Sequence, residues 1–201
     1  TSMLSIHNTK NIKLSNINFS QNHDYDDMLH IIYSSNVYLE NLIFNNAFGD
    51  AIDIDISNNI FIENTKIFNS KNDGIDLMES DVTIKNVKIL GSNDKAISIG
   101  ESSNAKIILS ELERNNIAIA VKDGSKVNMD KINFINNSVQ VSAYKKNLQY
   151  GKGGEAYISN SNFTNNKNSF SSKDSTITIE NSKLIGQINL KGENINVINR
   201  K

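Results

Sequence analysis

The sequence has no cysteine, no proline and no tryptophan, and only two arginines, Arg114 and Arg200, in 201 residues. Without cysteine there is no disulfide and no thiolate metal site. Without tryptophan, a common aromatic platform for a sugar ring is missing. No apolar run approaches the roughly 18 residues that a membrane span needs. Charge is nearly balanced, with a formal net charge of −1 and pI near 6.3, so the basic footprint of a nucleic-acid binder is absent. No stretch sustains a 3.6-residue apolar period, so helix is not expected. The opening TSMLSIHN reads as strand rather than signal peptide, which suggests a mature or excised segment with further domains of the same polypeptide among its partners.

What is present is a repeat. The stretch from Gly49 to Ser102 contains GDAIDIDIS, NDGIDLMES and NDKAISIGES, with Ile52, Ile75 and Ile97 spaced 23 and 22 residues apart. Each has an apolar partner two positions on, at Ile54, Leu77 and Ile99. The period extends upstream to Leu29 and Ile31, and downstream to Ile119/Val121 and Val139/Val141. A two-residue alternation marks a strand with one buried face. A unit this short cannot bury its face alone and must stack on its neighbours. The hydrophobic content of 38% suffices for the thin core of a coil two strands wide.

A second strand type recurs between these copies, anchored on Leu14, Leu39, Ile62, Ile84, Ile107, Met129, Ile158, Ile179 and Val197. Two residues after each anchor stand Asn16, Asn41, Asn64, Asn86, Leu109, Lys131, Asn160, Asn181 and Asn199. Five residues after come Phe19, Phe44, Ile67, Ile89, Leu112, Phe134, Phe163 and Leu184. Equivalent residues of a parallel coil stack about 4.8 Å apart. Asparagine amides carry donor and acceptor, so they can bond along such a stack, and asparagine tolerates the left-handed backbone of a sharp bend. The apolar column fills the interior beside the bend. The expectation is one all-β solenoid domain over residues 1–201, of roughly nine coils and about 40 Å long at that rise. One coil is stretched by SAYKKNLQYGKGGE, residues 142–155, read as a projecting basic loop carrying Tyr144 and Tyr150.

The paired short strands, the asparagine column and the series GDAIDIDIS, NDGIDLMES, NDKAISIGES, IAIAVKDGS resemble the right-handed parallel β-helix repeat proteins of the pectate-lyase-like superfamily. The resemblance covers nearly the whole chain. It implies a right-handed, single-stranded parallel β-helix. It also implies a superfamily rich in polysaccharide lyases, hydrolases and epimerases, alongside tailspikes and adhesins. Fold alone does not fix activity.

Stacking allows columns to be read directly. The residues after the first inward position are His30, Asp53, Asp76, Ser98, Ala120 and Gln140, all expected to face outward. Two positions before that inward residue come Asp27, Asp50, Asp73 and Lys95, with a strip of mostly small residues expected between the two acidic lines. Carboxylates about 4.8 Å apart repel by roughly 3–4 kcal/mol at an effective dielectric near 20, so a lysine, a raised pKa or a cation should relieve them. Oxygen-only donors favour Ca²⁺, for which Asp50, Asp53, Asp73 and Asp76 are the candidate ligands. Asp53 and Asp76 are the candidate catalytic pair, Lys95 or Lys122 the base or charge stabiliser, and His30 the proton shuttle. Tyr144, Tyr150, Lys145 and Glu101 are candidate substrate contacts. Asp50 and Asp73 also read as ordinary turn residues that cap backbone N–H groups, and Ser34, Ser57, Ser80 and Ser102 as a turn ladder.

These residues lead to two expectations. One is a carbohydrate-active protein, lyase or hydrolase, that cleaves a uronate-containing polysaccharide with Ca²⁺ assistance, outside the cytoplasm: extracellular, cell-surface or periplasmic in a bacterium. The other is a non-catalytic glycan-binding or structural module of a larger surface protein. The sequence lacks the compact polygalacturonase signature in which an adjacent Asp-Asp is combined with a His-Gly and a downstream Arg-x-Lys.

Overall fold

The computed structural model describes residues 1–198. Among them there is no helix, and every strand pairing is parallel. Asn199 and Arg200 lie outside the described residues.

Each coil holds three strands rather than two. Strands of the first kind, such as Asp27–Ile32, Asp50–Asp55, Ile75–Met78 and Lys95–Gly100, carry the repeated phrase. The second kind, such as Ser35–Glu40, Asn58–Glu63 and Asp81–Lys85, carries the apolar anchor. The third kind is short, as in Ile43–Asn45 and Lys66–Phe68, and carries the Phe/Ile/Leu column. Second strands form one nine-stranded sheet, so eight full turns separate its first and last members. The other two kinds are joined into one 15-stranded sheet, because Asn162–Ser172 runs through both roles in a single strand.

The asparagine column is the corner between second and third strands. Asn16, Asn41, Asn64 and Asn86 have φ of 58°, 54°, 53° and 52°, and Leu109 and Lys131 adopt the same backbone where asparagine is missing. Amides bond along it, Asn41 Nδ2 to Asn16 Oδ1 at 3.4 Å and Asn86 Nδ2 to Asn64 Oδ1 at 2.6 Å. A second amide stack, Asn11, Asn36 and Asn59, lies at the start of the second sheet.

The corner after the first strand is a serine ladder, displaced by one residue from the expectation at one rung. The backbone N–H of Ser34, Ser57, Ser80 and Ser103 each donates to the hydroxyl one coil on, those of Ser57, Ser80, Ser103 and Ser125, at 3.0–3.1 Å. Ser103, not Ser102, is the member. Inside, Phe19 stacks on Phe44 at 4.6 Å and Phe134 on Phe163 at 4.4 Å. With Ile52, Ile54, Ile75, Leu77, Ile97 and Ile99 fully buried, the thin core is continuous along the rod.

Candidate acidic site on the first sheet

On the outer face of the first sheet, His30, Asp53 and Asp76 are in direct register, followed by Ser98 and Ala120. Alternation along GDAIDIDIS turns Ile52 and Ile54 inward, which forces Asp53 and Asp55 out. The column then departs from the sequence reading. Ala120 pairs with Ser142, because Ile119 aligns with Val141 and not Val139. Gln140 is therefore turned into the bend, fully buried, where its amide donates to the Asn137 carbonyl. A two-residue slip in a strand with period two leaves the apolar pattern unchanged, so periodicity could not reveal it.

The expected strip of small residues is not an open floor. Met28, Ala51, Ala96 and Ala118 are all fully buried. A Cβ on Gly74 would lie 2.6 Å from the Ala96 carbonyl oxygen and against Ile89, which shows why this position is small.

The two acidic lines have different partners. Asp50 Oδ1 accepts both the Asp73 backbone N–H and the Asn72 amide at 2.7 Å. Asp73 Oδ1 accepts the Lys95 backbone N–H at 2.9 Å and sits 3.3 Å from the Lys95 ammonium, which also bonds Asp94. This line is turn capping. Burial pushes the Asp50 carboxyl up to about 7, against the bond from Asp73, and that of Asp73 to about 6, with Lys95 pulling it back.

Asp53 has no such partners. Burial, then the charges of Asp55, Asp27, Asp76 and Asp50, push its carboxyl up to about 8. His30 Nε2 lies 3.6 Å from Asp53 and 3.1 Å from Asp55 Oδ2, one coil on and two residues along. Asp27, buried and raised to about 6 by burial and Asp26, completes the group. Asp27, His30 and Asp53 have donor atoms all within 4.8 Å of one another. The residues expected to hold Ca²⁺ are a different set: Asp50 and Asp73 each use Oδ1 to accept backbone N–H groups, while Asp53 and Asp76 face outward in register. Two carboxylates fall well short of the six to eight oxygens Ca²⁺ takes, and an imidazole beside them suits other metals.

Beyond Asp76 the face turns cationic and covered. Ser98 is fully buried with no hydrogen-bond partner for its hydroxyl. Lys122 is only 5% exposed and lies over Gly100, pairing in register with Tyr144. Burial works to lower the Lys95 pKa, but its bond to Asp94 and the charge of Asp73 win and raise it. Lys95 is thus drawn towards its ammonium form beside two aspartates. Burial raises the Tyr144 phenol and the Glu101 carboxyl, each opposed by Lys122.

Tyr144 belongs to the strand Val139–Tyr144 and not to the loop. The loop itself, residues 145–154, is folded back. Asp123, fully buried, accepts the backbone N–H of Lys146 at 2.6 Å and of Asn147 at 2.9 Å, and Asn147 reaches Glu101 at 3.3 Å. Tyr150 packs beside Gly124, while Lys145 opens the loop half-buried and Leu148 forms its exposed tip. Asp55 and Asp123 take part without having been among the candidate site residues, although the IDIDI alternation places Asp55 on the same face as Asp53.

Residues 2–151 match the family described as right handed beta helix region. The chain belongs to this right-handed β-helix family. No curated protein sequence matches it significantly. Among solved structures, this β-helix is similar to an alginate lyase from a Paenibacillus species, with a TM-score of 0.52 and 10% identity over 90% of this chain and 79% of the other. It is also similar to the surface adhesin PfbA of Streptococcus pneumoniae, with a TM-score of 0.40 and 13% identity over 85% and 64%. For the catalytic domain of an alpha-1,3-glucanase in complex with nigerose the TM-score is 0.49 and the identity 12%, over 97% of this chain but half of that one. At these identities the likeness concerns the fold. No helix among the described residues is long and apolar enough to cross a membrane.

Proposed function

We propose that this β-helix cleaves a uronate-containing polysaccharide by hydrolysis, with Asp53 and Asp76 as the two catalytic carboxylates. The observation that carries the reading is their register. The two half-buried residues are paired in register on adjacent strands, whose backbones lie about 4.8 Å apart along the rod. That spacing is close to the roughly 5–5.5 Å between the carboxyl groups of retaining glycosidases. In such chemistry one carboxyl protonates the leaving oxygen and the other attacks the anomeric carbon. Water then breaks the glycosyl ester with the first carboxylate acting as base.

The flanks fit an acidic sugar. Lys95 and Lys122 offer positive charge one and two coils from Asp76, and the Tyr144 phenol offers a donor. His30 takes a positioning role through Asp55 and Asp53. Lysine-based elimination is disfavoured because Lys95 is held protonated by two aspartates. Such a substrate places the protein outside the cytoplasm, at the surface or in the periplasm of a bacterium.

The test is incubation with polygalacturonate, alginate and a neutral glucan, following reducing ends and unsaturated ends together. Hydrolysis gives reducing ends alone from the uronate polymers, lost in Asp53→Asn and in Asp76→Asn. Unsaturated ends would replace hydrolysis by elimination. If every polymer survives, cleavage is wrong and a binding module remains.

A further inference from the structure

The second sheet carries a feature that the acidic site does not use. Its central outward column runs Tyr38, Phe61, Thr83, Lys106, Asn128, Tyr157 in unbroken register. Tyr38 and Phe61 stack face to face, with ring centroids 4.8 Å apart and planes within 6°. Tyr38 is 45% exposed and Tyr157 39% exposed, large values for aromatic rings on a folded surface. Tyr157 is held upright by a hydrogen bond from its hydroxyl to Glu180. Between the aromatic ends the column drops to Thr83 and Asn128, opening a trough of about 690 Å³ beside Phe61 that continues past Asn128 to Tyr157.

The lining selects the occupant. Its walls are asparagine amides, threonine hydroxyls, the Lys126–Glu155 ion pair and Asp81, which accepts from the Asn104 amide, too polar for an apolar helix. Flat rings at both ends with amides between them match a chain of rings that carry hydroxyl groups, and exposed Lys106 in the middle matches a carboxylate. Phe61 and Tyr157 are four strand steps apart, about 19 Å, the span of a short oligosaccharide lying along the rod. We propose that this trough is a second, non-catalytic binding face for an acidic linear glycan, gripped by Tyr38/Phe61 at one end and Tyr157 at the other. The substrate class rests on the reading of the first sheet, but the binding face stands on its own residues.

The experiment is affinity electrophoresis through gels containing sodium polygalacturonate or sodium alginate, with dextran as the neutral control. The acidic gels should retard the wild-type chain. Tyr157→Ala and Asn128→Glu should each weaken retardation about tenfold, while Ser102→Ala, at an exposed turn outside both faces, keeps it. Asn128 is exposed, so Asn128→Glu places a repelling carboxylate in the trough without disturbing the core, and melting curves verify that both variants fold. Equal retardation of the wild type and Asn128→Glu would overturn the proposal, as would no retardation by either polymer. Retardation lost in Asn128→Glu from a chain that cleaves nothing would sink the cleavage reading and leave this one standing.

Discussion

Oδ1 of Asp50 accepts the backbone N–H of Asp73, one coil further along, at 2.7 Å. Replacing Asp50 by alanine strands that N–H and the Asn72 amide, at a cost of about 1–2 kcal/mol. Asp50→Asn keeps an acceptor oxygen and should cost less than half as much. Urea unfolding of the three proteins checks the order. If Asp50→Ala is as stable as wild type, the capping role is wrong.

The raised carboxyls set a pH dependence. Asp27, Asp50, Asp53 and Asp73 have folded-state values of about 6, 7, 8 and 6 against 3.8 in the unfolded chain. Between these limits the native state binds more protons, so the slope of unfolding free energy with pH is negative. Their contribution is fully present below about pH 4 and is lost as pH rises towards 8. The midpoint temperature should therefore fall from pH 5 to pH 8.5, and Asp53→Asn should flatten the upper part of that fall. A midpoint that rises across this window contradicts the burial of these groups.

Ser103 and Ser102 are neighbours with opposite fates. Ser103→Ala removes the acceptor of the buried Ser80 N–H and should cost about 1–3 kcal/mol. Ser102 is exposed, and Ser102→Ala should change stability by under about 0.5 kcal/mol. Thermal melts of the pair separate the two positions.

Leu109 interrupts the asparagine corner at φ 52°, half exposed. Leu109→Asn relieves a backbone that asparagine tolerates better and offers an amide to Asn86, so it should stabilise by about 0.5–1 kcal/mol. A destabilised variant would mean that the exposed leucine packs usefully where it stands.

The proposed hydrolysis uses two carboxylates and no metal, so on that reading chelation should matter little. EDTA should leave any uronate cleavage within about twofold of its untreated rate and leave the melting temperature unchanged. A full loss restored by Ca²⁺ would bring the metal back into the site.

Most of the fold was legible because a solenoid repeats its own evidence. Asn16, Asn41, Asn64 and Asn86 each predicted the same left-handed corner, so one doubtful reading was corrected by its neighbours. The third strand escaped notice because pieces such as Lys66–Phe68 are three residues long and contain no full alternation. The site was less legible. Sequence placed Asp53 beside Asp76 and left Asp50 and Asp73 with two readings, turn cap or cation ligand. Only the hydrogen bonds separate a carboxyl that caps a turn from one surrounded by like charges. The slip at Val139 likewise displaced Gln140 and hid Ser142, since hydrophobic periodicity is blind to a shift of two.

Among the described residues, each strand is hydrogen-bonded only to its counterparts in the coils directly before and after. Asp81 and Asn104 hold equivalent places, in register with each other, at the start of the second sheet. Excising residues 81–103 would join Ser80 to Asn104 and hand Asn104 the place of Asp81, with corners and columns still in phase. The molecule is in this sense a modular ruler. Its length can grow or shrink by whole coils through duplication or loss, while the distance from the acidic row to either end is reset without redesigning a single packing contact inside a coil.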